Sequence, residues 1–264
     1  MGQTVLVTAD DTWSPLVERF VDGHYGTLRG RVRTHVVACH LRAHLPAPPA
    51  SVVDVGGGAG TQSIPLAREG YDVTIVDPSR AMLARAEARL AAERPAAARR
   101  VRLIRAGAEE ARGVLGGARF AGVLCHGVLM YVEAARPVVA ALADLAEPGG
   151  IVSLLTKNAK TLATRPALAG NWAQALAAFD ADHEVNGLGL NTRGDTVEGL
   201  TQMLAELGVA RVAWYGVRLF TDSWAPERPA TDADDDVLAV ELEASRRDPY
   251  RLMSRLFHIV GRRR

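Results

Sequence analysis

Between Ser51 and Thr61 the chain reads S-V-V-D-V-G-G-G-A-G-T, and no other stretch limits the fold as much. Val52, Val53 and Val55 are β-branched and spell a short buried strand. Asp54 sits near its carboxyl end. Gly56, Gly57, Gly58 and Gly60 then place four glycines in five positions. Such a loop turns sharply and lies flat against a ligand, because no Cβ intervenes. Residues 61–68 follow as the opening turns of a helix. Strand, glycine loop and helix together are how an open α/β sheet binds an adenosine-bearing cofactor at its strand ends.

A glycine-rich loop alone is also compatible with an ordinary tight turn, and the next strand sharpens the choice. Residues 72–76 are apolar and β-branched, and Asp77 ends them. Asp77 lies 21 residues beyond Gly56, close to the ~20 expected between such a loop and the acid that hydrogen-bonds a ribose. Asp77 also suits the cap of a helix beginning at Pro78; the two roles are compatible, and the spacing favours the cofactor role over capping alone.

The remainder of the chain organises around this unit. Alternation of strand and helix from Ser51 predicts a parallel sheet with crossover helices. The expected strands are 51–55, 72–76, 101–105, 120–125 and 151–156, with helices over 80–93 and 133–145 and a tight turn at Glu147-Pro148-Gly149-Gly150. Beyond residue 156 the alternation fails. Residues 158–182 read as helical with a break at Ala169-Gly170-Asn171, 184–194 as a loop, and 196–207 as a helix closed by Gly208. A sixth strand is expected over 209–220, a helix over 237–246 behind the acids of 232–236, and a seventh strand over 256–260. Residues 261–264 read as a frayed basic tail, and 1–12 as a loose leader. Ahead of the sheet, residues 13–45 form one or two helices broken at Tyr25-Gly26-Thr27.

Composition narrows the function. At 264 residues with 48% hydrophobic and 23% charged side chains, the chain suits one α/β core with an appended helical segment. A net charge of +1 supplies no global attraction to nucleic acid, so any such binding needs a local basic patch. Cys39 and Cys125 form no metal or disulfide pattern, and a reducing, cytoplasmic setting is expected. No run approaches the ~18 apolar residues of a membrane span, and no metal-ligand cluster is visible. His24, His35, His40 and His44 are irregularly spaced and read as surface or packing residues.

Nicotinamide dehydrogenases and S-adenosylmethionine methyltransferases both carry a glycine loop and an acid ending the second strand. The Glu-Pro-Gly-Gly turn into strand five, the Gly107-Ala108-Glu109 run placed to meet an adenine edge, and the two further strands favour the second class. The segment 51–156 resembles a class I methyltransferase core. The expected architecture is a three-layer Rossmann-like α/β fold with a mostly parallel seven-stranded sheet whose last strand is antiparallel. Four segments are expected: an N-terminal helical segment (1–50), the cofactor-binding core (51–156), a helical substrate lid (157–208) and the completing strands and helix (209–264).

The likeness extends further. Tyr25-Gly26-Thr27 through Arg33, Val53 through Gly58, Cys125-His126-Gly127-Val128-Leu129, Asn158-Ala159 with Ala169-Gly170-Asn171, and Gly216-Val217-Arg218-Leu219-Phe220 resemble the bacterial tRNA carboxymethoxyuridine carboxyl methyltransferases, with a weaker echo from Leu242 to His258. These enzymes esterify the carboxylate of uridine-5-oxyacetic acid at the wobble position. The resemblance implies that Arg33 holds the methionine carboxylate of S-adenosylmethionine, that Gly56, Gly57 and Gly58 approach the cofactor through backbone, and that Asp77 takes the ribose. It places Ala108 and Glu109 around the adenine and His126 beside the methyl donor, S-adenosylhomocysteine being the product. From its residue type alone, His126 equally suits a packing role.

The chain departs from that pattern in one respect. Where the family carries a lysine-rich run, the loop 184–193 holds one arginine, and Lys157 and Lys160 stand where the family is not basic. Arg218 is the candidate clamp for an anionic acceptor, with a strand-surface role as its alternative, and Lys157, Lys160 and Arg193 are rim candidates. The acceptor is then tRNA or, on a second reading, a small secondary metabolite, for which Trp172, Leu176 and Phe179 would line an apolar pocket unless they are core. A non-catalytic cofactor sensor is the third reading, opposed by the complete cofactor set.

Overall fold

The computed structural model describes residues 13–264, and the leader expected over 1–12 lies outside them. After a wide helical turn over Arg19–His24, Thr27 caps α1 (Leu28–His44) by accepting the Gly30 amide. The core then alternates: β1 (Ser51–Val55), α2 (Ser63–Arg68), β2 (Asp72–Asp77), α3 (Arg80–Ala91), β3 (Val101–Arg105), β4 (Phe120–His126), α4 (Ala135–Leu145) and β5 (Ala146–Lys157). Next come α5 (Thr164–Leu168), α6 (Trp172–Ala178), β6 (His183–Val185), β7 (Asn191–Arg193), α7 (Val197–Glu206), β8 (Val209–Val217), α8 (Asp235–Ala244) and β9 (Leu256–Arg263).

Seven strands form one sheet in the order β3-β2-β1-β4-β5-β9-β8. The first five are parallel, and β9 runs antiparallel between β5 and β8. The sheet is covered on both faces, which is why its strands are apolar without alternation. Val53, Val55, Val123 and Leu154 face α4 and α7, whereas Val52, Leu124 and Leu155 face α1 and α8. Period two along β1 therefore puts Asp54 on the α1 face, where it is buried and accepts the Ser63 hydroxyl.

Several boundaries differ from expectation. The residues from Gly261 onward are not frayed: β9 continues to Arg263, Gly261 pairs with Val152 and Arg211, and Arg262 donates to the Gly149 carbonyl at 2.7 Å. The Glu147–Gly150 turn lies inside β5, which pairs with β4 at Ala146 and again from Ile151 onward. The expected loop over 184–194 contains a small antiparallel hairpin, β6–β7. Strand β8 stops at Val217, because Arg218 adopts the left-handed conformation at φ 63° and turns the chain.

Candidate active site

The glycine loop leaves β1 with Gly56 at φ 74° and Gly58 at φ 54°, conformations that favour a residue without a Cβ. A Cβ on Gly56 would stand 2.1 Å from the Val128 side chain, and one on Gly57 would stand 2.8 Å from Asp54 Oδ2. The loop thus lies tightly between β2 and the segment after β4. Asp77 holds it there: Oδ2 accepts the Gly58 amide at 2.8 Å, and Oδ1 accepts the Ser79 amide at 2.9 Å. Asp77 does not cap the following helix, which begins at Arg80 rather than Pro78 and takes Ser79 as its cap.

Gly56, Gly57, Gly58 and Asp77 line a narrow cavity of about 110 Å³ with Met82, His126, Gly127 and Val128. Four aromatic side chains wall it. Trp13 meets Phe20 and Tyr131 edge-on, with ring centroids 5.1 and 5.0 Å apart, and Phe20 meets Tyr25 at 5.3 Å. A wider cavity of about 650 Å³ adjoins it, and Phe20, His126, Gly127 and Tyr131 border both. Arg33, buried on α1, opens onto the wider cavity; its guanidinium donates to the Tyr25 hydroxyl and, at 3.0 Å, to the His126 carbonyl. It thereby ties α1 to the end of β4.

The wider cavity is cationic. Arg29, Lys157, Arg165, Arg218 and Arg255 line it with Arg33, and Arg19 stands among them. Two carboxylates organise these charges. Asp222 receives Arg165 at 2.6 and 2.8 Å and also receives Arg218. Burial opposes its charge, but Arg218 and Arg165 outweigh that and hold its carboxyl below the usual range. Glu184, on β6, bridges Lys157 at 2.5 Å and Arg255. Burial, together with the neighbouring arginines, pushes Lys157 down to about 7 and Arg255 to about 9.

Not every expected residue is brought to the site. Ala108 and Glu109 line neither cavity; the Gly107 amide closes instead on Glu110 at 2.9 Å. Lys160 is exposed and paired with Glu198. The Arg193 guanidinium donates to the Leu129 and Glu133 carbonyls and pairs with Asp195, so it braces the segment after β4 rather than the rim. Trp172, Leu176 and Phe179 are neither core nor pocket: they stand 68%, 71% and 73% exposed. Arg218, by contrast, is buried at the end of β8 and is no strand-surface residue.

Residues 53–152 match the family model described as a methyltransferase domain. Over 260 residues the chain is 27% identical to the tRNA 5-carboxymethoxyuridine methyltransferase of Escherichia coli O157:H7, covering 96% of this chain and 97% of the relative. The chain is an S-adenosylmethionine-dependent methyltransferase with the class I fold. Its fold matches magnesium protoporphyrin IX methyltransferase from Synechocystis PCC 6803 with bound SAH, with a TM-score of 0.63, 18% identity and coverage of 97% and 98% of the two chains. It also matches a putative S-adenosylmethionine-dependent methyltransferase from Listeria monocytogenes, with a TM-score of 0.61, 17% identity and coverage of 89% and 99%.

The donor set of the narrow cavity fits this cofactor. A glycine cradle that side chains would fill, a carboxylate at the end of β2 and an aromatic wall suit an adenosine carrying an amino acid. The aromatic wall of the methyltransferase was not read from the sequence, because Trp13, Phe20, Tyr25 and Tyr131 come from two separate segments with no shared motif. Within the described residues no helix is long and apolar enough to cross a membrane, and no cluster suits a metal ion.

Proposed function

We propose that this methyltransferase esterifies a carboxylate on an anionic acceptor, the carboxymethoxyuridine of tRNA being the acceptor that fits best. The observation that carries the reading is the charge of the wider cavity, where seven basic side chains stand against the carboxylates of Glu184 and Glu227. Such a wall recognises an anion and repels a cation. The likeness over nearly the whole chain to tRNA 5-carboxymethoxyuridine methyltransferases supports the same acceptor.

When bound, S-adenosylmethionine supplies a methyl group on an electrophilic sulfonium. Arg33 would hold its carboxylate, and Gly56–Gly58 and Asp77 its adenosine. A carboxylate acceptor is already ionised near neutral pH, so this chain needs no general base and acts by positioning. Arg218 supplies the planar fork that suits a carboxylate. Asp222 behind it, also holding Arg165, keeps that fork oriented.

The test is transfer of labelled methyl to total tRNA from cells lacking the gene, with a small-molecule extract of the same cells in parallel. Alkali-labile label on a tRNA nucleoside is expected. Label confined to the extract would overturn the tRNA reading and leave a metabolite as acceptor.

A further inference from the structure

A continuous run of hydrogen bonds leads from the site into the interior. His126 Nε2 lies 2.8 Å from Ser153 Oγ, which lies 2.7 Å from His258 Nε2. His258 Nδ1 lies 3.1 Å from His40 Nδ1, and His40 Nε2 lies 2.9 Å from Ser245 Oγ. Ser245 Oγ ends the run 2.6 Å from the Leu242 carbonyl oxygen. The side chains come from β4, β5, β9, α1 and the residue after α8. They meet because strand alternation puts His126, Ser153 and His258 on the face of the sheet that α1 covers.

The direction of every bond follows from the far end. A carbonyl oxygen only accepts, so Ser245 donates its single hydroxyl hydrogen to Leu242 and must accept from His40 Nε2–H. A neutral imidazole carries one N–H, which leaves His40 Nδ1 as an acceptor for His258 Nδ1–H. His258 Nε2 then accepts from the Ser153 hydroxyl, and Ser153 Oγ accepts from His126 Nε2–H. His126 is left with an unprotonated Nδ1. That atom is buried without a partner, in a residue that borders both cavities.

We propose that the relay Ser153–His258–His40–Ser245 fixes one tautomer of His126, so that its Nδ1 presents a lone pair to an N–H or O–H donor of a molecule bound where the two cavities meet. The donor is either the ammonium of the cofactor's amino acid portion or a donor on the acceptor. Ser153, His258, His40 and Ser245 are positioning residues, acting through His126. A second proton on His40 would set two N–H groups against each other, and one on His258 would leave the Ser153 hydroxyl without its acceptor. Burial first, and then the neighbouring groups, oppose protonation: His258 and Arg33 at His126, His258, Arg246 and His44 at His40, and His44 at His258.

Two-bond ¹H–¹⁵N spectra of the full chain labelled in histidine read the tautomer directly, without any methyl transfer. His126 is expected as the Nε2–H form alone at neutral pH. A His126 carrying Nδ1–H, or an imidazolium, overturns the proposal. S-adenosylhomocysteine should shift the Nδ1 signal while 5′-methylthioadenosine, which lacks the ammonium, should not. A shift that appears only when an anticodon stem-loop joins the S-adenosylhomocysteine complex assigns the donor to the acceptor instead. No shift with any of these overturns the lone-pair role.

Ser245→Ala removes the lock on direction from a residue that touches neither cavity. The relay can then reverse, so His126 should show mixed tautomers and bind S-adenosylhomocysteine about tenfold more weakly. An unchanged His126 signal with only a lower melting temperature would show Ser245 to be merely structural and overturn the relay. Ser153→Ala cuts the run beside His126 and should give the same mixture, which keeps the test open if the first variant folds poorly.

Discussion

Asp77 Oδ2 accepts the Gly58 amide at 2.8 Å, so the acid that ends β2 clamps the loop that leaves β1. The carboxylate shapes the glycine loop, and its second oxygen is held by Ser79. An amide in its place offers one acceptor atom for these two donors. Asp77→Asn is therefore expected to weaken S-adenosylhomocysteine binding by about 1.5–3 kcal/mol, the range for hydrogen bonds to a charged group. Calorimetric titration checks this, and thermal unfolding in parallel separates it from lost stability.

Gly56 combines φ 74° with the close approach of Val128. Gly56→Ala is expected to cost about 1–3 kcal/mol for the left-handed backbone alone, with the clash added. Val128→Ala in the same chain should return the clash component and leave the backbone component. Urea unfolding of both single variants and the double variant measures that coupling.

The parallel core was legible because its signals are local. β1 and β3 lie at the expected residues and β2 differs by one, since β-branched runs bounded by glycine and proline need no distant partner to be recognised. The glycine loop and the Asp77 that clamps it were legible for the same reason. What failed depends on tertiary context. The basic tail pairs as a strand only because β5 and β8 flank it. Trp172, Leu176 and Phe179 have the spacing of a buried stripe, yet α6 turns that stripe to solvent. His40 reads as a surface or packing residue, and its place in a polar relay requires β9 to return more than two hundred residues later.

Arg218 shares Asp222 with Arg165 and lines the wider cavity. Arg218→Lys keeps the charge opposite Asp222 and the same backbone strain, but replaces the planar fork by a point charge. KM for the acceptor is expected to rise about tenfold to a hundredfold, since a lost bidentate contact to a charged group is worth about 1.5–3 kcal/mol. The dissociation constant of S-adenosylhomocysteine should stay unchanged. A loss falling equally on cofactor and acceptor binding would place Arg218 in the general scaffold instead.

The buried histidines predict how stability depends on pH. Burial first, and neighbouring cationic or histidine side chains second, push His40 down to about 2, His258 to about 3 and His126 well below its ordinary value. In the unfolded chain each titrates near 6.5. Below that value the unfolded state binds protons that the folded state cannot, so folding stability is complete above about pH 6.5 and falls as the solution is acidified. Each site contributes roughly 1.4 kcal/mol per pH unit, and three together about 4. Against a typical stability of about 5–15 kcal/mol, acid unfolding is expected within a few pH units below 6.5. His40→Gln should reduce the acid slope by about one third, whatever it does to stability at neutral pH. Chemical unfolding at a series of pH values measures both slopes, and equal slopes in the two proteins would mean that His40 titrates normally in the fold.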